Sequence, residues 1–320
     1  MPLDPDIESF LDLVTLGHLS GKQRPMHEMS VTEARTIFEQ SSLFLEGDNY
    51  RPVWTKNFLV SADDGTALPV RLYAKHPLSS ANPWPLLLFL HGGGYVVGSL
   101  DSHDALCRDL AYRSDWAVLT VGYRLAPEHK FPTALHDALT AVAWLAAEGA
   151  AYGLDGQRLV LAGDSVGGSL ATILALLAAR EPARMPLAPL LQILIYPVTD
   201  AAGDYPSRLE HGSGRLLETA SLEWFYRHYE TTPADRYDWR FSPLRAPDLC
   251  GVAPTLLLLA AHDPLLDEGL AYGRRLRSAG VPVEVEVRPG MVHDFLRMPG
   301  VTDEAGRVRE LIARRLDKLR

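Results

Sequence analysis

Short apolar runs recur along this chain, and helical patterns separate them. Residues 85–90, 116–123, 159–162, 191–195 and 255–261 carry no charged side chain. They show none of the alternation of a half-exposed strand. Strands read this way when both faces are buried, as in a mostly parallel sheet covered by helices on either side. Residues 281–288 repeat the theme with charges interspersed. Helical stretches are predicted near 101–114, 131–149, 166–180, 266–279 and 303–320. Residues 53–60 and 67–75 flank Asp64-Gly65, which signals an antiparallel hairpin. The fold class is therefore α/β, with a mostly parallel sheet. In such sheets functional residues sit just beyond the carboxyl ends of strands.

Two segments stand outside the alternation. Residues 1 to about 45 read as two amphipathic helices, with Ile7, Phe10, Leu11 and Val14 at helical spacing in the first. Ser30 and Glu33 form a capping box before the second. A packing arm or a partner-binding helix fits this segment as well as any functional role. Residues 201–245 concentrate aromatics: Tyr205, Trp224, Phe225, Tyr226, Tyr229, Tyr237, Trp239 and Phe241. A helix is expected near 219–230. Such an insertion between two core strands reads as a lid over an apolar pocket, or as a helix docked for packing.

The net charge of −9 argues against nucleic acid or an anionic membrane surface as partner. No apolar run approaches the length of a membrane span, and the first residues lack the pattern of a signal peptide. Cys107 and Cys250 have no motif spacing; both are expected as free, buried thiols in a reducing, cytoplasmic setting. They cannot build a thiolate metal site.

The chemistry centres on Gly163-Asp164-Ser165-Val166-Gly167, set between an apolar strand and a helix rich in Ala and Leu. A serine on so sharp a turn has its hydroxyl pushed clear of the backbone, and flanking glycines remove clashing side chains. Serine is a poor nucleophile at neutral pH, so it needs a base and a group that holds the base. Asp263 follows one late strand and His293 the next, giving the order Ser165…Asp263…His293. Asp267 and Glu268 fall in the first turn of a helix, where acids suit the dipole. Asp294 is a rival orienter and His262 a rival base. His91-Gly92-Gly93-Gly94 follows the strand at 85–90. Its glycines can expose successive N–H groups, so Gly92 and Gly93, with Val166 after the nucleophile, are the expected oxyanion donors. His91 is expected to anchor that loop by hydrogen bonds.

Four stretches together, 91–98 (HGGGYVVG), 123–132 (YRLAPEHKFP), 163–168 (GDSVGG) and 263–269 (DPLLDEG), closely resemble the hormone-sensitive-lipase-like family of esterases, bacterial esterase family IV. The resemblance runs from about residue 50 to the end. It implies an eight-stranded, mostly parallel α/β-hydrolase core (46–200 and 246–320) with a helical cap built from 1–45 and 201–245, a serine carboxylesterase for short- to medium-chain esters, no metal or organic cofactor, and a homodimer. By position it makes Ser165 the nucleophile, His293 the base, Asp263 the orienter, and Gly92, Gly93 and Val166 the oxyanion donors. The 123–128 stretch becomes a buttress for the glycine loop. Asp294 stands where the family often has glycine, and His262 where other residues are common. The same triad would also serve an amidase, a lactonase or a true lipase, and a ligand receptor of this fold is the alternative outside catalysis.

Overall fold

The computed structural model describes residues 2–47 and 50–319. Met1, Asp48, Asn49 and Arg320, which belong to the ranges expected for cap and core, lie outside the described residues. The sheet has eight strands: β1 Trp54–Ser61, β2 Ala67–Ala74, β3 Trp84–Leu90, β4 Ala117–Val121, β5 Leu154–Asp164, β6 Leu191–Ile195, β7 Thr255–His262 and β8 Val283–Val292. Their spatial order is β1-β2-β4-β3-β5-β6-β7-β8. Strand β2 runs antiparallel to both its neighbours, and β4, β3 and β5 to β8 are parallel.

Each central strand divides its side chains between two cores. Leu86, Leu88 and Leu90 of β3 join one apolar cluster with helices α4 (Thr133–Glu148), α5 (Val166–Arg180) and α8 (Leu266–Ser278). Leu87 and Phe89 join the other, with α3 (Asp104–Arg113) and α9 (Asp303–Asp317). Burial on both faces is why these strands read as unbroken apolar runs. On the second face Arg309 of α9 is fully buried. Its guanidinium grips both carboxylate oxygens of Glu46, at 2.7 and 2.9 Å, and reaches Asp109 at 3.3 Å.

Helices α1 (Pro5–Leu19) and α2 (Val31–Glu46) line a cavity together with residues that follow the carboxyl ends of β3, β5 and β8. The Ser30–Glu33 capping box forms as expected. Arg35 pins α2 to the core by donating to the carbonyls of Val96 and Ala126 and to Glu128. In the 201–245 segment lie α6 (Pro206–Glu210) and α7 (Thr219–Tyr229), whose Leu222, Phe225 and Tyr226 are buried. Two strands differ from expectation. β5 begins at Leu154, since Leu154 and Asp155 pair with Trp84 and Pro85 of β3, and a register shift then skips the polar residues 156–158 before Leu159 pairs with Leu86. β8 continues through Pro289-Gly290 to Val292, with an irregularity opposite Ala260 and His262. No helix of the described residues is long and apolar enough to cross a membrane. Both cysteines are free, but only Cys107 is buried; Cys250 is exposed, on the short loop before β7, where no core packs over it.

Candidate active site

Strand β5 delivers Ser165 into a turn with φ 53° and ψ −123°, a backbone conformation that side chains avoid. The turn closes only because its neighbours are glycines. A Cβ on Gly167 would lie 2.0 Å from the Leu90 carbonyl oxygen, and one on Gly163 would lie 2.3 Å from the Gly167 backbone. The Ser165 amide donates to the Ile195 carbonyl at 2.9 Å, which ties the turn to β6.

The residues expected from the ends of β7 and β8 meet Ser165 there. His293 Nε2 stands 3.0 Å from Ser165 Oγ, and His293 Nδ1 stands 2.7 Å from Asp263 Oδ2. The other Asp263 oxygen accepts the Leu265 amide at 2.9 Å, which fixes the carboxylate's rotation. All three side chains are buried. Burial opposes a charge on His293, but the adjacent Asp263, with Asp294 and Asp164 farther off, outweighs it and raises the imidazole pKa above its usual value. The ring of Tyr196 packs 4.6 Å from that imidazole.

The rivals have other partners. Asp294 pairs with Arg297 at 3.1 Å. Glu268 accepts the Thr199 and Asp200 amides and pairs with Arg208. Asp267 accepts the Ser207 amide. His262 packs 5.3 Å from the ring of His211. Among the described residues no cluster of His, Cys, Asp or Glu has the arrangement of a metal site.

The glycine loop requires one correction. The Gly92 amide donates to Asp164 Oδ1 at 2.9 Å, so it is spent inside the protein and cannot meet a ligand oxygen. Gly93 and Gly94 line the same cavity as Ser165 and Val166, whereas Gly92 does not. Among the described residues the amides of Gly93, Gly94 and Val166 have no acceptor. Both glycines have positive φ, 113° and 61°, and a Cβ on Gly93 would lie 2.2 Å from the Val97 carbonyl. Gly94, and not Gly92, therefore lines the cavity with Gly93 and Val166. Behind the loop, His91 Nδ1 lies 2.8 Å from the Gly92 carbonyl and its ring stacks on Tyr123, whose hydroxyl donates to the His91 carbonyl at 2.6 Å. Burial pushes the His91 pKa down to about 3, which leaves it neutral and anchoring, as expected.

The cavity above Ser165 measures about 730 Å³. Its walls come from α1 and α2 (Phe10, Ile37, Phe44) and from the later insertion (Leu217, Leu222, Phe225). A serine poised on an imidazole and carboxylate, beside three free amides and under apolar walls, can attack a carbonyl group.

A family model described as the alpha/beta hydrolase fold matches residues 87–297. The chain belongs to this family. An ethyl acetate hydrolase of Pseudomonas putida is 52% identical to it over 307 residues, 95% of each chain. Carboxylesterase NlhH of Mycobacterium tuberculosis is 35% identical over 256 residues, 78% of each chain. The crystal structure of a hyperthermophilic esterase from Pyrobaculum calidifontis matches with a TM-score of 0.91 at 32% identity, covering 100% of this chain and 99% of the other. This α/β-hydrolase is thus of the hormone-sensitive-lipase-like kind that its motifs imply.

Proposed function

We infer that this chain is a carboxylic ester hydrolase that works through an acyl-enzyme on Ser165. The observation that carries the mechanism is the unbroken relay from Ser165 Oγ through His293 to Asp263. His293 takes the hydroxyl proton as Ser165 attacks the ester carbonyl. Asp263 keeps the imidazole in the tautomer whose bare Nε2 faces Ser165, and stabilises the imidazolium that forms. The negative oxygen of the tetrahedral intermediate sits among the amides of Gly93, Gly94 and Val166. Val166 opens α5, so the positive end of that helix adds to the field there. His293 then returns its proton to the leaving alcohol. Water, deprotonated by the same imidazole, attacks the acyl carbonyl and frees the acid.

The segments 1–45 and 201–245 act as a cap over this centre, and their apolar side chains select the ester. Phe10, Ile37, Phe44, Leu222 and Phe225 line the cavity and offer an apolar surface to the acyl groups of short- to medium-chain esters. The P. putida relative is named for hydrolysis of ethyl acetate, a short ester, which agrees with that range.

The test is turnover of p-nitrophenyl esters from acetate to palmitate by the wild type and by Ser165→Ala. Turnover greatest at short or medium chains and abolished in the variant is expected. A Ser165→Ala protein with more than a trace of activity refutes the mechanism, and a maximum at palmitate refutes the chain-length range. Tight ligand binding without turnover of any ester would turn the reading to a receptor.

A further inference from the structure

The residue before the nucleophile is an aspartate with no exposure at all. Asp164 does not touch the cavity. One oxygen accepts the Gly92 amide at 2.9 Å; the other lies 3.2 Å from His103 Nε2. The far nitrogen of His103 lies 2.9 Å from the Ser102 hydroxyl, so the ring is held at both ends. Burial disfavours a charged Asp164, yet His103, with help from Arg297, keeps its carboxyl below the usual range and therefore ionised. A buried carboxylate is expensive unless it is fully bonded, so its retention beside the nucleophile calls for a task.

Its position defines the task. The oxyanion donors come from two strand ends: Gly93 and Gly94 follow β3, and Val166 follows β5. Catalysis of this kind requires them to converge on one oxygen position before the substrate arrives. We propose that Asp164, held by His103, is a positioning residue that locks the Gly92–Gly94 turn to the nucleophile elbow and so sets the spacing of the oxyanion donors. Contact is tight enough for the purpose, since a Cβ on Gly92 would lie 2.4 Å from Asp164 Oδ2. The proposal rests on the oxyanion assignment above.

The experiment compares Asp164→Ala, Asp164→Asn and His103→Leu with the wild type. Active sites are counted by phosphonate titration, so that misfolded protein does not enter the rate. Asp164→Ala should lower kcat on p-nitrophenyl acetate roughly 100-fold, the scale of losing one oxyanion donor. KM should stay nearly constant. Affinity for a trifluoromethyl ketone, whose adduct carries the oxyanion, should fall in parallel. Asp164→Asn keeps an oxygen for the Gly92 amide and should recover most of the loss; His103→Leu should fall between. A merely structural role would lower the melting temperature and the count of active sites and leave kcat per site unchanged, and that result overturns the proposal. Should Asp164→Ala not fold, the same comparison of kcat and ketone affinity in the other two variants decides it. Activity surviving in Ser165→Ala would instead overturn the underlying mechanism.

Discussion

Asp263→Asn isolates what the carboxylate does for His293. The two carboxylate oxygens are not equivalent: Oδ1 accepts the Leu265 amide and Oδ2 faces His293 Nδ1. In the variant the amide oxygen keeps the Leu265 bond, because the NH2 group cannot accept there. The NH2 group is then turned toward Nδ1. Two donors cannot face each other at 2.7 Å, so the imidazole proton moves to Nε2, the nitrogen 3.0 Å from Ser165 Oγ. A protonated Nε2 cannot take the serine proton, and the imidazolium also loses its counter-charge. A tautomer error of this kind costs about four decades of kcat, or about 5.4 kcal/mol of transition-state stabilisation. The assay is steady-state hydrolysis of p-nitrophenyl acetate per titrated active site. Thermal unfolding should show little change, because the buried hydrogen bonds persist in number. A variant within tenfold of the wild type, in a protein whose Ser165→Ala form is inactive, would refute this account of the base.

Three further outcomes follow from the structure. The raised pKa of His293 places the acidic limb of kcat/KM above the usual imidazole value; the base works only when neutral, so activity should rise as pH passes upward through that pKa, and a limb below about 6.5 in a pH–rate profile would contradict it. Gly167→Ala drives a methyl into the Leu90 carbonyl, a backbone atom that cannot swing aside, and should cost roughly 3 kcal/mol or more in urea unfolding together with activity; a stability within 1 kcal/mol of wild type would show that the elbow can open. Arg309→Met strips the guanidinium from two buried carboxylates, Glu46 and Asp109, and should destabilise by about 3–5 kcal/mol without altering kcat per folded molecule; an unchanged denaturation midpoint would argue that water enters that joint.

The sheet and the three reacting side chains were legible because their signals are local. A run buried on both faces declares itself by lacking charge, as the strand before Asp263 does; His293 follows a strand marked by alternating valines with charges between them. The boundaries of β5 and β8 were not legible. Polar residues 156–158 and Pro289-Gly290 argue for loops one residue at a time; they are the unpaired residues of two register shifts, and only the pairing on either side of them, at Asp155 and Leu159 and at Arg288 and Val292, carries each strand through. The error at Gly92 has a different origin. Three consecutive glycines announce exposed amides, but which of them face the site depends on where the carboxylate of Asp164 points. That is set by His103, some sixty residues earlier in the chain. One trace of it was visible: Asp164 is a lone charge closing the uncharged run that starts at Leu159, between a glycine and Ser165.

The turn that presents Ser165 also sets a limit on what natural selection for a sturdier molecule could do here. At φ 53° glycine would be at ease and serine is not, a difference of order 1–3 kcal/mol. A Ser165→Gly molecule should therefore outlast the wild type on heating while hydrolysing nothing. Pressure for durability alone would erase the hydroxyl first, so its presence at that spot is itself a record of use.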